Sequence, residues 1–303
     1  MALIYDDLLG HRDKVQEAVD RLKAFEPPEG YFLAFSGGKD SQTIYHLAKM
    51  AGVKFDAHHT LTTVDPPELV KFVKEHYPDV SVDKSHWMSD GRGHRAGDHI
   101  TMWNLIVFRS IPPTRKTRYC CADLKETKGG NRIVVTGVRW EESTNRRKTH
   151  GIVDLQGRLD ETKKQAQELG VNGIENGRNS LIINNDNDET RRLVEFCYRQ
   201  KKTTVNPIVD WSEEDVWEFL NDVAKVPHCS LYEKGFKRLG CIGCPMIGTR
   251  EREKEFEVWP VYKQNYLRAF DRMLKAMEEE GECSVNWKNA QECFEWWMYN
   301  ANV

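Results

Sequence analysis

Long apolar stretches are absent from this chain. No uncharged run exceeds roughly a dozen residues, short of the ~20 needed to cross a bilayer, so no membrane span is expected. The opening MALIYDDLLGHRDK carries acids early and has no apolar core segment, so no secretory signal is expected and a cytoplasmic location is the reading. Charge of one sign is not in excess. The formal net charge of −3 gives no global argument for a nucleic-acid or membrane partner. Glycine and proline, at 21 and 11, are too few for a collagen-like or low-complexity chain, and no internal repeat is present. The Gly-x4-Gly-Lys-Ser/Thr spacing of the common nucleotide-binding loop is also missing. What remains is 303 residues, 39% hydrophobic and 30% charged, enough for one large α/β domain with an appendage.

Cysteine is not scarce. Eight are present, at 120, 121, 197, 229, 241, 244, 283 and 293. Without a secretory signal, metal or redox use fits them better than a disulfide scaffold. Two features stand out: the adjacent pair Cys120-Cys121, and Cys241-Ile242-Gly243-Cys244-Pro245. A Cys-x-x-Cys turn directs two thiolates to one centre, and a second pair completes the four ligands of a [4Fe–4S] cluster or a zinc ion. The cluster on Cys120, Cys121, Cys241 and Cys244 is the expectation, with zinc the alternative, since thiolates suit both. Adjacent cysteines diverge by ~100° on an α-helix, so holding one cluster through both requires a distorted helix there. A rival set replaces one of the pair with Cys229. Cys197, in the helical stripe RRLVEFCYRQ, reads as a buried small hydrophobe.

The apolar spacing predicts a helix over about 12–25, a buried parallel strand over 30–35, and a helix from the following loop to Gly52. VKFDAHHTLT reads as a second strand and ELVKFVKEHYP as a second helix after Asp65-Pro66-Pro67. RIVVTGV (132–138) is a further strand. This alternation is that of a doubly wound parallel sheet in an α/β fold. Residues 151–200 read as a polar helical insertion within a nucleotide-binding domain of residues 1–250, and 251–303 as a C-terminal helical extension. WSEEDVWEFL is a helix with Ser212 as N-cap and Asp215 three residues on. His58 and His59 read as packing or loop residues.

Between the first strand and its helix lies Ser36-Gly37-Gly38-Lys39-Asp40-Ser41. Two glycines let the backbone approach a ligand, the helix adds its positive end, and Lys39 adds a charge; together they make an anion cradle sized for phosphates. AFSGGKDSQ resembles the pyrophosphate loop of the adenine nucleotide α-hydrolase superfamily. Arg118-Tyr119-Cys120-Cys121 with Leu124-Lys125 resembles the Cys-Cys element of adenylyl-sulfate reductases. Thr136-Gly137-Val138-Arg139 with Glu142-Ser143 resembles a strand and loop of phosphoadenosine phosphosulfate (PAPS) reductases. So do Pro207-Ile208-Val209-Asp210-Trp211 with Asp215-Val216-Trp217, and Leu231-Tyr232 with Gly235-Phe236 and Gly240-Cys241. These elements run in family order from about 30 to 250.

The resemblance implies a PAPS reductase-family enzyme of sulfur metabolism, with a nucleotide loop beside a [4Fe–4S] cluster. Ser36, Gly37, Gly38, Lys39 and Ser41 are then to hold the pyrophosphate portion of the nucleotide. Asp40 is to orient the loop or meet Mg2+, and Arg139 to meet a phosphate or sulfate. Arg118 and Lys125 are to offset the charge of the cluster. Two departures shape the reaction. The complete SGGKDS is typical of ATP-using relatives, and the C-terminal nucleophile element of the reductases is replaced by Glu282-Cys283-Ser284-Val285-Asn286. ATP is therefore preferred over adenylyl sulfate (APS) or PAPS, with α-phosphate chemistry and sulfur transfer from a sulfur donor protein. The alternative is reduction of APS or PAPS to sulfite, with Cys283 as nucleophile and a thiol reductant as partner. A third reading is a non-catalytic nucleotide or nucleic-acid binding module, using the basic stretches TRKTR (114–118) and NRRKTH (145–150).

Overall fold

The computed structural model describes residues 3–7, 10–87, 96–126, 128–157, 159–176, 180–197, 202–281 and 287–301. A hairpin of β1 (Ile4–Asp7) and β2 (Gly10–Asp13) leads into α1 (Lys14–Ala24), whose N-cap Asp13 accepts from the Gln16 amide at 3.0 Å. The expected buried strand is β3 (Tyr31–Ala34), followed by α2 (Lys39–Ala51), β4 (Phe55–Thr60), α3 (Pro67–His76) and β5 (Ser81–Asp83). Next come α4 (Met102–Arg109), α5 (Tyr119–Cys121), β6 (Ile133–Val135), α6 (Thr144–Thr149), β7 (Val153–Gln156) and α7 (Leu159–Glu168). They are followed by β8 (Ile174–Asn176), β9 (Ser180–Ile183), α8 (Asp188–Cys197) and β10 (Lys202–Val205). In α9 (Glu213–Glu218) the predicted cap forms in both directions. The Ser212 hydroxyl accepts from the Asp215 amide at 3.1 Å, and the Asp215 carboxylate accepts from the Ser212 amide at 2.7 Å. The last helices are α10 (Thr249–Val258), α11 (Pro260–Glu279) and α12 (Ala290–Tyr299). Among the described residues no helix is long and apolar enough to cross a membrane.

The sheet runs β5-β4-β3-β6-β10-β7-β9-β8. From β4 to β10 neighbouring strands are parallel, the α/β arrangement expected from the alternating elements. Strand β3 is apolar on both faces because it is covered on both, with Tyr31 and Leu33 fully buried. Beyond β10 the sheet turns antiparallel through β7, β9 and β8. These strands fall in the segment read as a helical insertion, so that reading is corrected: the segment holds α7 and α8 and also three strands. Each strand is three or four residues long. Such runs are too short to show periodicity against polar, helix-prone surroundings. Their pairing partners make them strands, as when Val153 to Gln156 zips against Val205 to Lys202.

The chain divides into two compact units. The first comprises Met1–His59, Lys71–Ser81 and Gly129–Arg238; the second comprises Thr60–Val70, Val82–Lys128 and Leu239–Val303. In the second, α11 packs on α4 and α12, around Trp297, whose ring lies 4.6 Å from Tyr266 and 5.4 Å from Phe270. In the first, Phe35, Tyr45 and Tyr77 form an aromatic cluster against α2. His58 stacks on Phe32 at 4.2 Å, and the buried His59 ring meets the Phe35 carbonyl at 3.1 Å, so both histidines are packing residues.

That aromatic cluster carries an acid sensitivity. His46 is half-buried between Tyr45 and Tyr77, with Nε2 3.1 Å from the Tyr77 hydroxyl. Burial, and then the Lys49 charge, push the imidazole down from 6.5 to about 4, against the opposing pull of Asp79. Between these values the unfolded chain takes up a proton that the folded chain refuses. Stability is therefore expected to fall as pH is lowered from 6.5 toward about 4. Thermal melts across this range should show the fall, and His46→Gln should flatten it; an unchanged slope in the variant removes His46 as the cause.

Candidate functional site

The phosphate-type loop lies wholly in the first unit. Strand β3 ends at Ala34, and α2 begins at Lys39. Gly37 makes the reversal between them at φ +80°, a backbone region costly for residues with a Cβ. Side chains close the loop on itself. Ser36 Oγ donates to Ser41 Oγ at 3.2 Å, Ser41 Oγ donates to the Gly38 carbonyl at 2.8 Å, and Gln42 Nε2 donates to the Gly37 carbonyl at 3.1 Å. Ser36 is exposed, whereas Lys39 is only 5% exposed. The Lys39 ammonium donates to the Lys237 carbonyl at 3.1 Å and lies 3.8 Å from Asp40 and 3.7 Å from Glu213. The Lys39 amide, at the positive end of α2, donates to the Tyr232 hydroxyl at 2.8 Å. A polar oxygen thus occupies the place where a nucleotide oxygen is expected to sit.

Strand β6 supplies the other wall. Gly137 follows it, and a Cβ there would lie 2.8 Å from the Asp40 carbonyl, so only glycine lets this backbone meet α2 so closely. Two residues on, Arg139 is 2% exposed. Its Nε donates to Asp40 at 2.7 Å, and NH1 donates to Glu141 at 3.0 Å and the Trp211 carbonyl at 3.4 Å. Burial opposes its charge, but Asp40 and the neighbouring glutamates more than restore it. The guanidinium read as an anion contact thus makes an internal tie that fixes the Asp40 carboxylate. Glu142 pairs with Arg146, and burial pushes the Glu142 carboxyl upward. Of the residues that complete this wall, Tyr232 falls in the Leu-Tyr segment and Arg146 in the basic stretch NRRKTH, while Glu141 carries no motif signal.

The four candidate ligands all lie in the second unit. Tyr119–Cys121 form a single α-helical turn that runs directly into a π-helix at Ala122–Glu126. The pair thus lies on the α-helical turn, and the pitch changes only after it. Arg118 donates to Cys121 Sγ at 3.5 Å. A hydrogen bond from Cys120, then this contact, hold the Cys121 thiol well below its ordinary value, while Cys120 is pushed up by keeping the shared proton and by burial. The second pair sits on a tight turn, with the Cys244 amide donating to the Cys241 carbonyl at 3.2 Å. Gly243 is left-handed at φ +73°, and a Cβ there would lie 2.7 Å from the Phe256 ring. The Tyr266 hydroxyl donates to the Ile242 carbonyl at 3.0 Å, and the Ile242 amide donates to Val64 at 2.8 Å.

The pairs lie within electrostatic reach of each other. Charges on Cys241 and Cys244 act on Cys120, and Tyr266 feels Cys241, Cys120 and Cys244. Cys241 Sγ lies 3.4 Å from Thr62 Oγ1. Burial pushes the Cys241 thiol up against the pull of Lys125, whose ammonium is held charged chiefly by that sulfur. Among the described residues, no three His, Cys, Asp or Glu side chains are spaced to share a single metal ion. The other cysteines stand apart. Cys197 is buried in α8, Cys229 is buried in the first unit near Tyr232, and burial pushes Cys293 in α12 up to about 12. Cys283 lies outside the described residues.

A sequence profile of the phosphoadenosine phosphosulfate reductase domain matches residues 30–247, from β3 through the Cys241–Cys244 turn. An uncharacterized protein of Methanocaldococcus jannaschii is 37% identical over 84 residues, covering 26% of this chain and 17% of that protein. An adenosine 5'-phosphosulfate reductase of Allochromatium vinosum is 24% identical over 183 residues, covering 58% of this chain and 52% of that enzyme. The chain therefore spans about half or less of the length of these curated relatives. Among solved structures, a phosphate complex of PAPS reductase from Candida auris is similar at 12% identity and a TM-score of 0.42, covering 74% of this chain and 88% of that one. Since the profile takes in both the loop of the first unit and all four thiols of the second, the chain belongs to the phosphoadenosine phosphosulfate reductase domain family.

Proposed function

We propose that this chain is a cytoplasmic enzyme of sulfur metabolism that binds ATP in the Ser36–Ser41 loop and carries a [4Fe–4S] cluster on Cys120, Cys121, Cys241 and Cys244. The observation that carries the nucleotide reading is the buried Lys39 at the start of α2, in a loop whose Asp40 is fixed by Arg139. A polyphosphate taken into the loop exchanges the internal contacts of Lys39 for phosphate oxygens. Asp40, already oriented, is the residue placed to meet Mg2+.

In the preferred reaction, an acceptor oxygen bonds to the α-phosphorus of ATP and the bond to the β-phosphate oxygen breaks, releasing pyrophosphate. Sulfur from a donor protein then displaces AMP from the acceptor. The donor set suits a cluster. It consists of four thiols with two cations, Arg118 and Lys125, set against them, and zinc is the alternative metal for the same thiolates. When bound, the cluster supplies either a sulfur-binding iron or a structural tie between the two cysteine pairs.

Similarity to adenosine 5'-phosphosulfate reductases favours a second reading, thiol-dependent release of sulfite. That reaction needs an accessible cysteine nucleophile. Among the described residues, Cys197, Cys229 and Cys293 are all buried, which leaves the role to Cys283. The test is to titrate the anaerobically purified chain with Mg2+–ATP and with adenylyl sulfate, and to assay sulfite with a thiol reductant present. Tight ATP binding without sulfite release is expected. Sulfite release that Cys283→Ser abolishes overturns the preferred reaction in favour of the second.

A further inference from the structure

Arg252, on α10, is 0% exposed. Its NH1 donates to the Trp297 carbonyl at 3.1 Å and to the Met298 carbonyl at 3.4 Å, the open C-terminal carbonyls of α12. The guanidinium lies 4.0 Å over the Trp297 ring. Its Nε and NH2 nitrogens are buried and have no hydrogen-bond partner. A buried cation with unmade donors is costly unless a counter-charge meets it. Glu255, the nearest carboxylate acting on it, already accepts from the Gly243 amide at 2.6 Å. The Trp297 ring that Arg252 covers reaches the Cβ position of Gly243 at 3.1 Å, inside the Cys241–Cys244 turn. The arginine charge also acts on Cys244. Arg252 therefore packs, through the Trp297 ring, behind the Cys241–Cys244 turn.

We propose that Arg252 is a positioning residue for the cluster, its buried Nε–H and NH2 groups donating to sulfur on the Cys244 side and balancing the negative charge there. The proposal rests on the cluster reading above. Charge-assisted donors draw electron density from thiolate and sulfide sulfur. They weaken the iron–sulfur bonds and favour the reduced state, which carries one more negative charge.

The test compares wild-type chain, Arg252→Met and Arg252→Lys, each purified anaerobically. Iron and sulfide content come first, followed by resonance Raman of the cluster and its reduction midpoint. In Arg252→Met the iron–thiolate stretching bands are expected to move to higher frequency and the midpoint to become more negative. Arg252→Lys, which keeps the charge and the stem but lacks the planar fork, is expected to shift the same way by less. A merely structural role does not predict this sign, because water admitted by loosened packing raises the midpoint. Unchanged bands and midpoint in the loaded variants overturn the role of Arg252. If Arg252→Met fails to load, the lysine variant decides by the same comparison. A wild-type chain without iron instead overturns the cluster reading itself, and does so before any variant is examined.

Discussion

Serine in place of Cys241 is expected to yield a colourless chain with less than one iron, where the wild-type chain carries about four and is brown. The serine hydroxyl is a hard, largely protonated ligand that does not replace a thiolate on iron. The change also removes the sulfur that holds the Lys125 ammonium charged, and leaves Lys125 and Arg118 facing fewer negative groups. Because ligands assembled by folding return their binding free energy as stability, the thermal transition of the second unit should fall with the iron. Among the described residues, hydrogen bonds with Val64, Tyr266 and Glu255 also hold the turn. Cys120→Ser and Cys121→Ser should behave alike, while Cys197→Ser and Cys229→Ser keep their iron. Full iron in Cys241→Ser ends the proposed ligand set. Loss in Cys229→Ser with retention in either member of the pair installs the rival set instead.

Local signals were the legible ones. The Ser212–Asp215 cap, the apolar strand before Ser36 and the helix that follows it all formed as spacing and capping chemistry require. The demand for a distorted helix at Cys120–Cys121 rests on the angular step of a helix, and the structure keeps the pair on an α-helical turn with a π-helix only from Ala122 on. What stayed hidden depends on partners far along the chain. Arg139 reads as a phosphate or sulfate contact because nothing nearby in sequence announces Asp40, 99 residues away. Arg252, in TREREKEFEV, sits among charges typical of a solvated helix, and the partners that hold it, Trp297 and Met298, lie 45 and 46 residues on. Strands β7 to β9 fail the periodicity criterion for the same reason, since four residues gain their strand identity from the neighbour they zip against. The two cysteine pairs are readable as motifs, whereas their membership of one unit is a property of the fold, since the second unit is assembled from three separated stretches of chain.

Lys39→Met is expected to weaken Mg2+–ATP binding by about 10- to 100-fold, measured by titration calorimetry. A hydrogen bond from a charged donor contributes roughly 1.5–3 kcal/mol, and each 1.4 kcal/mol is tenfold in affinity. Methionine keeps most of the buried stem, so the change falls on the charge rather than the packing. The folded chain loses the partner of Asp40 and Glu213, both of which retain solvent or Arg139 as alternatives, so the melting temperature should move far less than the affinity. Gly137→Ala makes the complementary case, because this residue has no polar side chain to offer a phosphate. Its new Cβ would press on the Asp40 carbonyl at 2.8 Å, which must shift the start of α2 relative to β6. Overpacking of this kind costs about 1–3 kcal/mol, and here the shift displaces both the Lys39 amide and the Asp40 carboxylate. A drop in ATP affinity in both variants locates the nucleotide at this loop through two independent mechanisms, one of charge and one of backbone position. Unaltered affinity in Lys39→Met, in a chain that melts like wild type, removes the loop as the phosphate site, whatever Gly137→Ala does.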